Sequence, residues 1–181
     1  MLFMKNEKFY LLSCGKWLNR SQFLDYFERK VLYTMRKYNL DCNGMIKDKR
    51  EKAKVLKYFL DNKLNKYKNP KEKQKKAIIL ADSLDDMAYA IIDAFAKKDI
   101  NELKKLLPCF SKSNKKFVRL FYLITDKEIE LYAQLKKIKL KKPEKDKKQS
   151  DIALWLDEFE KKHIELKNSI VNSVLKIYQK I

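Results

Sequence analysis

Apolar residues recur at helical spacing over most of this chain, and only two short runs depart from it. Phe23, Leu24, Phe27, Val31, Met35 and Tyr38 lie three and four apart, on one face of a helix expected from a Ser21 cap to about Leu40. After a polar link at Asn43-Gly44, a second helix from Asp48 to about Asn65 turns Ala53, Leu56, Phe59, Leu60 and Leu64 inward and lysines outward. Asn69-Pro70 ends it, and Lys71 to Lys76 reads as a charged linker. Ser83 and Asp86 form a near capping box ahead of Met87, Ala90, Ile91, Ala94 and Phe95. Asp99 opens a short helix through Leu103, Leu106 and Leu107 that Pro108 stops. Thr125 and Glu128 form a full capping box for a helix to about Ile138. Ser150 or Asp151 caps the next helix, which carries Ile152, Leu154, Trp155 and Phe159, and an amphipathic helix near Leu166 to Tyr178 closes the chain.

The two exceptions are Ala77 to Leu80 and Phe117 to Ile124, unbroken enough to predict buried strands of a small parallel sheet. Phe9 to Leu12 and Lys16 to Leu18 flank Ser13-Cys14-Gly15 and predict a hairpin turning at the glycine. The pattern is therefore α/β tending to mostly α, without repeats. It divides into a hairpin (1–20), an α/β core (21–138), a lysine-rich loop (139–149) and a C-terminal helical pair (150–181).

Composition changes this picture in one respect. Forty-three Lys and Arg against 24 acids give a formal charge of +19, so a polyanion, RNA or DNA, is the expected partner. General enrichment in Lys, Asn and Ile is the plainer explanation of the same number. Cys14, Cys42 and Cys109 form no C-x-x-C pair, and no apolar run reaches the roughly 20 residues that span a bilayer, which predicts a reduced, soluble, cytoplasmic protein and no membrane partner. His163, the single histidine, has no evident nucleophile beside it and reads as a surface residue or helix cap; Cys109, between Pro108 and Phe110, reads as packing. Asp157, Glu158 and Glu160 read as helix-surface acids, so no acid–base pair stands out.

Four collinear segments, grouped in three blocks, carry a resemblance. Ser83-Leu84-Asp85-Asp86-Met87-Ala88, after the run from Ala77 to Ala81, resembles the GHNLDDEAQ strand-to-helix junction of the PP-loop ATP pyrophosphatases that thiolate tRNA in archaea and the eukaryotic cytosol. Leu18 to Val31, continued by Met35-Arg36-Lys37-Tyr38, is similar to that family's LCxxHFxxxFExKVxxTIRKY helix, and Thr125 to Ala133 to its IxEKEVALYA helix. Val55 to Leu60 is similar to the helix that follows the family's SGGKDS phosphate loop. The resemblance implies a reduced Rossmann-like core of the PP-loop/HUP-like kind, behind an N-terminal hairpin that is a zinc-less ribbon remnant.

The departures matter as much as the matches. The zinc-binding Cys and His of the LCxxHF helix motif fall on Asn19 and Gln22, and the His-Asn of the strand-to-helix junction falls on Asp82-Ser83, with Met87 at the following Glu. The phosphate loop falls on Asp48 to Ala53, yet no glycine lies beyond Gly44, and a phosphate cradle needs glycine for close backbone approach. The catalytic Cys expected near Lys139 to Lys148 is missing, as are the C-terminal zinc ligands, and the intervening sheet segment with its C-x-x-C is compressed into Asn62 to Lys76. The resemblance thus implies no metal and no cofactor, and leaves Asp82, Asp85 and Asp86 as remnants of a nucleotide site; helix N-terminal acids are also favourable with the macrodipole alone.

The candidate phosphate contacts are Arg36, Lys37, Lys47, Lys49, Arg50 and Lys52, together with Lys139, Lys141, Lys142, Lys145, Lys147 and Lys148 of the loop from 136 to 148, which holds eight lysines. A solvated basic face is the plainer reading of the first group. The aromatic residues sit mostly at core spacing, and no stacking platform for bases is evident. The leading reading is a non-catalytic tRNA-binding pseudoenzyme or accessory subunit, with tRNA or other RNA and an active thiolation-enzyme homologue as partners. The alternatives are a subunit whose partner supplies the ATP site and cysteines, and a general basic nucleic-acid or protein-interaction module.

Overall fold

The structure is a computed structural model that describes residues 8–40, 44–64, 77–141 and 151–179. Gly15, at φ +82°, turns β1 (Tyr10–Leu11) back onto β2 (Trp17–Leu18), giving the expected hairpin. Phe9 and Tyr10 pack on Phe23 with ring centroids 5.7 and 5.0 Å apart, so aromatic contacts hold the hairpin to α1 (Arg20–Lys37).

The cap of α1 is Asn19 rather than Ser21. Asn19 Oδ1 accepts from Gln22 N at 2.9 Å and Gln22 Oε1 accepts from Asn19 N at 3.0 Å, a reciprocal pair that Leu24 cannot close for Ser21. The helix also ends earlier than Leu40, because Asn39 at φ +47° turns the chain and Leu40 N returns to Met35 O. Phe23, Phe27 and Val31 are fully buried as predicted; Thr34 joins them, its hydroxyl donating to Lys30 O.

Gly44, read from the sequence as part of a link, opens a third parallel strand, β3 (Gly44–Ile46). A Cβ there would lie 2.5 Å from the Ala77 carbonyl oxygen and 2.7 Å from the Ile79 side chain. Gly44→Ala should therefore cost about 1–3 kcal/mol through overpacking at the β3–β4 seam, measured as a lowered urea midpoint; an unchanged midpoint would show that the seam can open.

The second helix, α2 (Lys52–Phe59), starts after Asp48, not at it, because the Asp48 carboxylate accepts from Arg50 N at 2.9 Å and holds residues 48–50 in a turn. It runs into a π-helical turn at Leu60–Leu64 that keeps Leu60 and Leu64 buried. The predicted linker at Lys71 to Lys76, the Asn69-Pro70 break and Cys42 lie outside the described residues.

β4 (Ala77–Leu80) stands where the apolar run predicts it and leads into α3 (Leu84–Ala96), whose Ser83/Asp86 capping box is complete. Phe95 is a correction: it is half exposed, while Leu84 and Ala88 are buried. Asp99 caps α4 (Ile100–Lys105) as expected. A hairpin then follows that the sequence reading did not foresee, β5 (Cys109–Lys112) and β6 (Lys115–Arg119), turning through Ser113 and Asn114 at φ +49° and +59°. The predicted strand from Phe117 to Ile124 is thus displaced toward the N-terminus; Leu120, Phe121, Tyr122 and Ile124 are apolar because they are buried in the turn that leads to α5 (Asp126–Leu135).

The main sheet has the order β3-β4-β6-β5, with the first three strands parallel and β5 antiparallel to β6. One core joins Phe23, Phe27 and Val31 of α1 with Val55, Leu56 and Phe59 of α2, Ile79 of β4 and Tyr132 of α5. A second joins α3 and α4 to Val171, Val174 and Leu175 of α7 (Leu166–Gln179), which follows α6 (Asp151–Lys162). The fold is mixed α/β with a small, mostly parallel sheet. Among the described residues, no helix is long and apolar enough to cross a membrane.

Candidate functional site at the ends of the parallel strands

Parallel strands deliver their last residues to one edge of a sheet, and in open α/β folds that edge is where ligands are held. Here β3, β4 and β6 end at Ile46, Leu80 and Arg119, so Asp48, Asp82 and Arg119 meet there, with the N-termini of α3 and α5 alongside. Arg50 reaches into this edge. Its Nε lies 3.0 Å from Asp48 Oδ1 and its Nη1 3.0 Å from Asp86 Oδ2, while Nη2 donates to both Asp48 and Asp82. Lys52, at the start of α2, donates to Asp86 at 2.6 Å, Asp126 at 2.7 Å and Ser83 Oγ at 3.1 Å. Arg119 donates from Nε to Asp82 at 2.6 Å and from Nη1 to the carbonyls of Lys105 and Leu107 that end α4.

Three cations and four carboxylates therefore compensate one another in one connected network. Burial works against the charged forms, yet the surrounding carboxylates hold Arg50 and Lys52 above their ordinary pKa values. Burial likewise raises Asp48, but hydrogen bonds from Arg50 outweigh it and leave its carboxyl below the usual range.

The sequence-predicted residues divide accordingly. Asp82, Asp86, Arg50 and Lys52 come together, each acid bound to one or both of these cations. Asp85 turns away: its Oδ2 accepts from Asp126 N at 2.7 Å and its Oδ1 from Lys167 Nζ at 2.6 Å. Lys47 and Lys49 are exposed beside Arg50 in the loop after β3, and Lys139 and Lys141 are exposed too. Lys141 N donates to Glu51 Oε2 at 2.8 Å, which lays the chain after α5 against the start of α2 and brings both lysine pairs to the same edge. Arg36 and Lys37 belong to the end of α1, where Lys37 lies over the Tyr33 and Tyr38 rings. Lys142, Lys145, Lys147 and Lys148 lie outside the described residues.

Three residues have charged partners that the sequence reading did not assign. Arg119 is almost fully buried within an apolar run, and a lone arginine in such a run was the available signal. Lys167 is 3% exposed and binds Asp157 at 2.7 Å and Glu160 at 2.8 Å besides Asp85, but nothing distinguishes it from its neighbouring lysines in sequence. Glu128, 1% exposed, does more than cap α5: it accepts from Tyr26 and Lys30 at 2.8 Å and from Tyr10 at 3.3 Å.

No protein-family profile matches the chain, and no curated protein matches it. A solved structure does: the U34-tRNA thiolase NcsA from Methanococcus maripaludis with its 4Fe-4S cluster superposes with a TM-score of 0.75 at 17% sequence identity, over 100% of this chain and 90% of that one. The fold is that of a tRNA thiolase. The parallel strands, the helices on them and the arginine-filled strand edge are therefore built on the PP-loop thiolase fold expected from the blocks around Ser83, Arg20 and Thr125.

Proposed function

We propose that the chain is a non-catalytic tRNA-binding pseudoenzyme or accessory subunit of the cytoplasm, working beside an active tRNA-thiolating homologue. The observation that carries this reading is Arg50. A nucleotide phosphate needs uncommitted donors at the strand ends, and here the guanidinium is committed to Asp48, Asp82 and Asp86 while Lys52 is committed to Asp86 and Asp126. The edge that would receive ATP is filled by the chain's own charges.

Among the described residues, the cysteines do not fit the cluster named with the thiolase. Iron–sulfur clusters are held by thiolates, and Cys14 sits exposed in the hairpin turn while Cys109 lies half-buried at the start of β5. Among the described residues no group of three His, Cys, Asp or Glu has the geometry to hold a metal.

What remains available is the basic rim of Lys47, Lys49, Lys139 and Lys141 on that edge. Fluorescence anisotropy with unmodified tRNA and length-matched duplex DNA across a salt series tests it. The expected result is tRNA selectivity that survives rising salt, and a four-alanine variant at these lysines that weakens binding with a salt slope shallower by about one per lost phosphate contact. Equal affinities that collapse together would replace the reading by a general polyanion binder. ATP hydrolysis that arises only on mixing with the active homologue would instead favour a shared enzyme whose partner supplies the ATP site.

A further inference from the structure

The β5–β6 hairpin carries an aromatic pair that neither core uses. Phe110 and Phe117 stand directly opposite each other and stack with centroids 4.8 Å apart and planes 11° from parallel. The pleat puts Cys109 and Val118 on the other face, where Val118 is fully buried and Cys109 packs on the first core. Among the described residues the two phenylalanines pack on neither core, and each is half-buried. The Arg119 guanidinium lies 4.8 Å from the Phe110 ring centroid and steadies the pair at the base of the hairpin. The sequence shows no such platform because the two rings are seven positions apart and only the hairpin brings them together.

The charges around the pair select its occupant. Two residues further along the same face, Lys112 stands opposite Lys115, both exposed, with Lys116 beside them. Among the described residues none of these three lysines has an ion pair, and no acid occurs from Leu103 to Thr125. Like charges set directly opposite across a ladder repel, so an anion arriving between them relieves the hairpin tip. Lysines on an edge strand such as β5 also deter strand pairing, but that role needs no stacked rings behind them. Lysines alone would accept any polyanion. Rings and lysines two strand residues apart, roughly 7 Å, fit a nucleotide, with its base on the rings and its phosphate on an ammonium. A duplex keeps its base faces stacked inside, so the strand that fits is unpaired.

We propose that the β5–β6 hairpin binds unpaired RNA, stacking a base on the Phe110–Phe117 pair and holding the flanking phosphates on Lys112, Lys115 and Lys116. That the strand is RNA rests on the RNA-binding reading; the surface is separate from the rim of Lys47, Lys49, Lys139 and Lys141. Fluorescence anisotropy of the full chain tests it, with a labelled single-stranded RNA oligomer and an abasic oligomer of equal length that keeps the phosphates and lacks the bases. The wild type is expected to bind the complete oligomer at least fivefold more tightly, the lower end of what one stacked base contributes. Phe110→Leu with Phe117→Leu should abolish that preference and leave abasic binding unchanged, a result that a loss of folding cannot produce. Tyrosine at both positions should retain the preference. Lys112→Ala, Lys115→Ala and Lys116→Ala together should weaken both oligomers alike and make the salt slope shallower by about two. Equal wild-type affinity for the two oligomers overturns the proposal, as does a preference indifferent to the leucine changes. Polyglutamate that displaces the complete oligomer and shows the same dependence on the two phenylalanines would assign the surface to an acidic protein and overturn it too. The two readings fail separately, because loss of tRNA selectivity at high salt overturns the tRNA reading and not the stacking preference.

Discussion

Lys167→Met is expected to lower unfolding stability by about 3 kcal/mol, the lower end for breaking a buried ion pair. Lys167 is 3% exposed, and its removal leaves Asp85, Asp157 and Glu160 facing one another without a cation. The figure is not higher because Asp157 and Glu160 are 37% and 34% exposed, so solvent takes up part of their charge. Urea denaturation measures the loss, and hydrogen exchange should localise it to α6 and α7, the helices that Lys167 ties to α3. Lys167→Met at wild-type stability would show that α7 is held by Val171, Val174 and Leu175 alone.

The same cluster sets a direction with pH. Burial raises Asp157, but hydrogen bonds from Lys167 and Tyr89 outweigh it and hold its carboxyl below the ordinary value of about 3.9. Its contribution is therefore complete above that ordinary value and is lost as pH falls through the lower folded one. Burial lowers Lys167 while Asp157, Asp85 and Glu160 raise it further, so its contribution is complete below about 10.4 and is lost as pH rises from there through its elevated folded value. In the methionine variant the acid limb of the stability–pH curve should flatten.

Glu128→Ala should be comparably severe, about 3 kcal/mol by urea denaturation. Removing the carboxylate strips Lys30 of its counter-charge, the Tyr10 and Tyr26 hydroxyls of their acceptor, and Thr125 N of its cap. Glu128→Gln keeps an acceptor for the cap and the phenols but not the charge, so about half the loss should return. Equal losses for the two variants would mean that the Lys30 charge is the whole of the effect.

Local chemistry was legible in the sequence and partners distant in the chain were not. The Ser83/Asp86 and Thr125/Glu128 caps follow from residues three apart, and β4 follows from an unbroken apolar run. β3 escaped notice because three residues opening on a glycine carry no alternation, and the β5–β6 hairpin because its turn, Ser113-Asn114, contains no glycine. The site shows the same division. Arg50, Lys52, Asp82 and Asp86 could be named singly, but the bonded cations and acids are 32 to 36 positions apart and their pairing is a property of the sheet edge. Asp85 and Asp86 are neighbours in sequence, yet a turn of about 100° per residue sends one to Lys167 and the other to Arg50.

Glu128 also fixes an order of assembly. The residues it gathers, Tyr10, Tyr26 and Lys30, precede it by 118, 102 and 98 positions. During synthesis the hairpin and α1 therefore leave the ribosome long before their anchor exists, and loop-closure entropy opposes their early docking. The N-terminal quarter of the chain waits for α5, so truncation before Thr125 should release nascent chains whose hairpin stays open to proteases, whereas chains carrying α5 should protect it.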